Sequence, residues 1–102
     1  EATKTAPDYM LYALKTTPPK PGLLRVEAGK GASIELEIWS LSPSAFGKFV
    51  NAIPAPMAIG TIRLADGRSL KGFLVEPEVL GEARDITSYG GWRKFMAEAA
   101  TA

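Results

Sequence analysis

The sequence predicts an α+β domain, and three observations carry that prediction. Short runs with strand-like composition recur between turn-forming residues. An Asp-Gly pair, Asp66-Gly67, lies between two such runs. Apolar residues recur at helical spacing only twice, after Ser42 and after Gly91. Strand runs mixed with separated helices, with no regular strand-helix alternation, point to α+β architecture.

Residues 8–14 form the first predicted strand, bounded by Pro7 and by the loop from Thr16 to Gly22. Both faces of this run are largely apolar, as in a strand covered on two sides. Thr17-Pro18-Pro19-Lys20-Pro21-Gly22 is expected to be a stiff connection, because its prolines have no N–H to give a ladder. Leu24 and Val26 alternate with Arg25 and Glu27 in a second strand, which Ala28-Gly29-Lys30-Gly31 turns away. Residues 33–41 read as the clearest strand, with Ile34, Leu36 and Ile38 on one face and Glu35, Glu37 and Trp39 on the other.

Ser42-Pro43 is a helix start, with serine as N-cap and proline at the first helical position. Phe46, Phe49, Val50 and Ile53 follow at helical spacing until Pro54-Ala55-Pro56 stops them. Residues 59–65 and 69–76 flank Ala65-Asp66-Gly67-Arg68 as a hairpin. Trp92, Phe95, Met96 and Ala99, spaced i, i+3, i+4, i+7, predict a closing helix. The order is β-β-β-α-β-β-α, with no repeat and no interdomain linker. Trp39, Phe46, Phe49 and Trp92 are expected to pack in the interior.

Composition narrows the chemistry. The 102 residues suit one domain, with ordinary shares of hydrophobic (46%) and charged (23%) residues. Twelve Lys and Arg are interspersed with eleven Asp and Glu, so no basic stripe marks a nucleic-acid partner. No apolar run is long enough to span a membrane, and no signal-peptide pattern is present, so a cytoplasmic protein is expected. The chain has no cysteine and no histidine. Thiol catalysis, Ser-His-Asp triads and ordinary zinc sites cannot be assembled from it. Asp8, Asp66 and Asp85 are scattered, so neither a metal nor another cofactor is expected.

Six segments together carry a family resemblance. They are Thr5-Ala6-Pro7-Asp8-Tyr9, Thr17-Pro18-Pro19-Lys20-Pro21-Gly22-Leu23, Ile34-Glu35-Leu36-Glu37-Ile38-Trp39, Ile53-Pro54-Ala55-Pro56-Met57-Ala58-Ile59-Gly60-Thr61, Leu70-Lys71-Gly72-Phe73-Leu74 and Asp85-Ile86-Thr87-Ser88-Tyr89-Gly90-Gly91-Trp92-Arg93. In order and spacing this set resembles the allophanate hydrolase C-terminal domain and its small stand-alone relatives. The resemblance implies a γ-glutamylcyclotransferase-like fold, a small mixed β-barrel with flanking helices. It also implies a role beside an amidase domain of different fold, promoting decarboxylation of the N-carboxycarbamate that the amidase releases.

Two departures from the family pattern bear on activity. The family's first strand, with its Gly-Ala-His-x-Ser-Gly-like loop, has no counterpart in this sequence. An open edge or slot is therefore expected beside residues 8–14 or 33–41. The acidic base of the cyclotransferases falls at Ile53-Pro54, where there is no carboxylate, so proton abstraction by that route is not expected.

Each candidate ligand residue has two readings. Glu37 either orients a carbamate or amide from inside a barrel or is a solvated strand carboxylate. Lys71, beside Gly72, is an anion-binding candidate or a surface charge. Lys20 sits in a rigid proline frame, at a pocket mouth or simply exposed. Gly60 lets a ligand approach the backbone, and Tyr12 offers a hydroxyl or packs with a wet tip. Arg93 binds a carboxylate or contacts a neighbouring loop, and Gly90-Gly91 is a tight turn ahead of Trp92.

Two functions follow. One is a small-molecule domain for a compact carbamoyl or ureido anion, with Glu37 and Lys71 lining one pocket. The other is a non-catalytic module that supports a partner amidase or assembles as a homodimer.

Overall fold

A computed structural model describes residues 1–101, in seven strands and two α-helices. The strands are β1 (Ala2–Lys4), β2 (Tyr9–Leu14), β3 (Lys20–Arg25), β4 (Glu35–Glu37), β5 (Met57–Arg63), β6 (Ser69–Val75) and β7 (Arg84–Asp85). The helices are α1 (Pro43–Asn51) and α2 (Trp92–Thr101), and short 3₁₀ turns span Pro77–Glu82 and Thr87–Tyr89.

The strands form three sheets, each with antiparallel pairs: β1-β4, β3-β2-β7 and β5-β6. Isolated bridges add contacts beyond the sheets: Thr5 to Leu64 between the ends of β1 and β5, Tyr9 to Ala32 in a loop and, in parallel, Glu35 to Gly91 ahead of α2. The expected mixed β-barrel is not formed as one closed sheet. β3 and β6 run close, with Val75 Cβ 3.2 Å from where a Cβ on Gly22 would sit, yet no ladder pairs them. Strands of only three residues at β1 and β4 also leave too few backbone groups to carry a continuous ladder around the core.

The hairpin is as the Asp-Gly pair predicts. β5 pairs with β6 from Met57↔Val75 to Arg63↔Ser69, and Gly67 takes φ +95°, a region open to glycine. Asp66 Oδ1 accepts from Arg68 N, closing the turn.

The segment Thr17–Gly22 departs from expectation, because Lys20, Pro21 and Gly22 lie in β3, opposite Leu14, Ala13 and Tyr12. β3 is the edge of its sheet, and an edge strand tolerates a proline whose missing N–H faces away from its partner. The run 33–41 contracts to β4. Its inward set is as expected, with Ile34 buried and Leu36 and Ile38 packed on the core, but the ladder ends at Glu37. Trp39 is 77% exposed, and Phe49 and Phe46 are also exposed, so three of the four aromatics assigned to the interior lie at the surface. Trp92 does pack, its ring 5.4 Å from that of Phe95.

The core gathers Tyr9, Leu11, Leu23 and Ile62 from two of the sheets, Ile34 from just before β4 and Ile86 from the loop before α2. Two buried polar groups tie it to the backbone. Tyr9, fully buried, accepts at its hydroxyl from Arg63 N at 2.9 Å, linking β2 to β5. Thr5, also fully buried, accepts at Oγ1 from Ile34 N at 2.9 Å and donates to Ala6 O at 2.7 Å.

At the hairpin tip, Arg68 binds the carboxylates of Glu1 and Asp66. Its hydrogen bonds hold both carboxyls below their usual values. A carboxyl lowered in the folded state adds stability above its unfolded pKa, and that stability is lost as pH falls through the lowered value. Arg68→Gln is therefore expected to raise both carboxyl pKa values toward the ordinary range, as read by carboxyl ¹³C NMR titration. Unchanged titration of both groups would show that the guanidinium does not hold them in solution.

Candidate functional site

Alternation from Ile34 through β4 turns Ile34 and Leu36 inward and leaves Glu35 and Glu37 on the other face. The chain meets this acidic face at the start of α2. The turn Thr87–Tyr89 ends at Gly90 with φ +78°, and Gly90 O accepts from Glu35 N at 2.7 Å. Gly91 is buried, and a Cβ there would lie 3.1 Å from Glu35 Cβ, a tight contact that a larger residue would relieve only by shifting the strand or the helix. The first turn of α2 then lays two cations over two acids. Arg93 binds the Glu37 carboxylate, and Lys94 Nζ reaches Glu35 Oε1 at 2.9 Å.

A concavity of about 880 Å³ lies along β1 and β4. Leu11, Leu23, Leu36, Met57, Phe73 and Trp92 are among its lining residues, and Glu37 and Arg93 also border it. An open flank was expected beside one of two strands. It lies at β4, whereas β2 is paired on both sides. A second concavity, of about 860 Å³, lies between β4, the β5-β6 hairpin and α1, and shares Leu23, Leu36, Glu37 and Phe73 with the first.

Of the five candidate ligand residues, Glu37 and Lys71 border one concavity, and Lys20, Gly60 and Tyr12 border neither. Glu37 borders both concavities, and Lys71 borders the second. Their contacts differ: Glu37 pairs with Arg93, whereas Lys71 keeps its charge and donates to the Thr61 hydroxyl Oγ1 at 2.8 Å across the hairpin. Lys20 is exposed at the start of β3 and lines neither concavity. Gly60 lies opposite Gly72 on the hairpin. A Cβ at Gly60 would meet Leu74 Cδ1 at 2.6 Å, and one at Gly72 would meet Ile62 Cδ1 at 2.5 Å. The hairpin's own side chains, Leu74 and Ile62, lie beside these glycines, and Gly72 also borders the second concavity. Tyr12 lies on β2, where burial, and secondarily the Asp85 carboxylate, pushes its phenol pKa up. Its hydroxyl points to Met10 Sδ at 3.6 Å, outside both concavities.

Sequence reasoning placed Arg93 at a carboxylate or at a neighbouring loop, and its contact is a carboxylate within the chain. The identity of that partner, Glu37, had no local signal, since 56 positions separate the two residues. Among the described residues no group of three or more His, Cys, Asp or Glu converges as a metal site would need. No helix among them is long and apolar enough to cross a membrane.

Fold and site together define a small mixed α/β domain built on three short sheets and two helices. Its distinctive feature is an apolar concavity bordered by an Arg-carboxylate pair. The family model for the allophanate hydrolase C-terminal domain matches residues 1–97, and the chain belongs to that family. It is 40% identical over 97 residues to the urea amidolyase of Lachancea kluyveri and 41% identical over 99 residues to that of Saccharomyces cerevisiae. Those alignments cover 91% and 92% of this chain but 5% of each relative. The structure superposes on Kluyveromyces lactis allophanate hydrolase with a TM-score of 0.92 at 37% identity, covering 97% of this chain and 17% of that one. A uropathogenic E. coli-specific protein matches with a TM-score of 0.85 at 35% identity, covering 95% of this chain and 74% of its own.

Proposed function

We propose that this domain serves urea and allophanate nitrogen metabolism by holding a compact carbamoyl dianion, such as N-carboxycarbamate, and easing its decarboxylation. The observation that carries the reading is the Arg93–Glu37 pair at the border of an apolar concavity, in a chain of this family. Arg93 is 85% exposed on its side chain while bound to Glu37, which leaves most of its donor fork open to a second carboxylate. Decarboxylation breaks one C–N bond. The bonding pair stays on nitrogen, which takes a proton from water, and CO₂ leaves. Arg93 holds the carboxylate that remains, Glu37 accepts the N–H, and the walls at Leu36 and Trp92 strip water from the carboxylate that departs. Of the residues singled out from sequence, Glu37 and Lys71 stay in this proposal, with Lys71 as the cation of the adjoining concavity. Neither a γ-glutamylcyclotransferase-like reaction nor the full cyclotransferase-like barrel is part of it, since no carboxylate occupies the Ile53-Pro54 position.

The test uses malonate, a stable dianion with CH₂ in place of NH. In ¹⁵N NMR, malonate is expected to cause saturable shifts at the Gly91 amide and the Trp92 indole. Arg93→Ala should weaken binding about tenfold or more, the worth of a hydrogen bond to a charged group. Glu37→Gln should tighten it, because a competing anion is removed from Arg93. Absence of saturable shifts, or affinity indifferent to Arg93, overturns the reading.

One observation favours a second reading, in which the domain supports a partner amidase. The chain spans 5% of the urea amidolyases and 17% of the allophanate hydrolase it matches, so in those proteins the domain sits within a much longer chain.

A further inference from the structure

The charged side chains that border the concavity along β1 and β4 are Lys4, Glu35, Glu37, Asp66 and Arg93. Each of the acids already has a cation. Arg93 binds Glu37, Lys94 binds Glu35 and Arg68 binds Asp66. Lys4 is different. It is exposed, and among the described residues no hydrogen bond or ion pair engages its ammonium.

The root of this side chain is fixed although its tip is free. In the β1-β4 ladder Lys4 stands opposite Glu35, and Ala2 opposite Glu37. Directly opposed residues of an antiparallel pair share a face, so Lys4 lies on the face that carries Glu35 and Glu37. Lys4 O accepts from Ala65 N at 3.0 Å, and the next residue is the fully buried Thr5, so the backbone is held by both the ladder and the hairpin. Glu37, with Arg93 bound to it, lies one strand repeat along from Glu35, about 7 Å. The concavity thus carries two cations, Arg93 shared with an acid and Lys4 with none.

We propose that Lys4 makes this site select dianions over monoanions, its ammonium meeting the second carboxylate of the ligand while Arg93 holds the first. The inference rests on the ligand reading above and adds a specificity-determining residue to it. A dianion brought against apolar walls needs a cation for each charge, since an uncompensated charge resists leaving water. Arg93 divides its charge with Glu37 and cannot offset both. Lys4 carries a compact charge on a flexible stem, so it can follow a carboxylate from the mouth of the concavity inward. The charge also changes on reaction. Loss of CO₂ and protonation of nitrogen leave a monoanion, which needs only Arg93, so Lys4 holds the substrate more tightly than the product.

Malonamate, in which an amide replaces one malonate carboxylate, has nearly the same shape and one charge fewer. In ¹⁵N NMR titrations at neutral pH, the unaltered chain should bind malonate about three- to tenfold more tightly than malonamate, between the worth of an exposed ion pair and that of a hydrogen bond to a charged group. Lys4→Gln should abolish the preference by weakening malonate alone, and Lys4→Arg should keep it. Arg93→Ala should weaken both ligands. Circular dichroism would confirm that each variant is folded. Should Lys4→Gln fail to fold, the ¹³Cε signal of Lys4 in the unaltered chain still gives an answer: malonate should shift it saturably and malonamate should not. Malonate binding that depends on Arg93 but not on Lys4 overturns this inference and leaves the ligand reading standing. So does equal affinity for the two ligands, or a preference that survives Lys4→Gln. Absence of saturable shifts with either ligand overturns both.

Discussion

Ile86→Ala is expected to lower unfolding stability by about 2–5 kcal/mol, the range for removing a large aliphatic side chain from a packed interior. Ile86 is fully buried and sits between β7 and the turn that leads to α2, in the cluster with Tyr9, Leu11 and Phe95. Its amide also donates to Leu11 O at 2.8 Å, so the side chain fills the point where β2 meets the loop before the helix. A domain of this length has about 5–15 kcal/mol in total, so the variant should lose a large fraction of its stability. Chemical denaturation gives the value directly. A loss below 1 kcal/mol would mean that the site collapses around the gap and that Ile86 does not organise the core.

Thr5→Val should cost about 1–3 kcal/mol although the two side chains are nearly the same shape. Valine leaves the buried Ile34 N–H without its side-chain acceptor and Ala6 O without its donor. Thr5→Ser keeps both hydrogen bonds and loses only a methyl group, so it should be the milder variant. If valine were tolerated better than serine, packing rather than the hydroxyl would hold this junction. The junction matters because Thr5 stands where β1 passes between Ile34 and Leu64, and its bridge to Leu64 joins the β1-β4 sheet to the β5-β6 hairpin.

The elements legible in the sequence are those specified by neighbours in the chain. Asp66-Gly67 needs only its own backbone and one side chain to turn. The Ser42 cap needs only the amide three residues on, and Ser42 Oγ accepts from Ala45 N at 3.1 Å as the Ser-Pro signal predicts. The inward set Ile34, Leu36 and Ile38 follows from period-two alternation. Thr5, by contrast, reads as an ordinary threonine in a motif. Its burial depends on two strands that arrive 29 and 59 positions later.

The candidate site divides along the same line. Glu37 was legible as a carboxylate on the face opposite the aliphatic set, because alternation alone puts it there. Its partner was not, because which cation reaches it depends on how Gly90 and Gly91 aim α2. Gly60 and Gly72 show the same limit. Glycine in a strand signals a close approach but does not say what approaches, and here Leu74 and Ile62 lie beside them.

The sequence by itself determined the α+β class, the hairpin, the two helices, the family and the exclusion of thiol and imidazole chemistry. All of these rest on residue identity or on interactions within a few positions. Only the tertiary structure decided that the sheets stay separate, that Pro21 enters an edge strand, that Trp39 and α1 face solvent, and that Arg93 meets Glu37 beside an apolar concavity. Each of those depends on which distant backbone comes within hydrogen-bonding or packing distance, and contacts between segments so far apart in the chain leave no local periodicity to read.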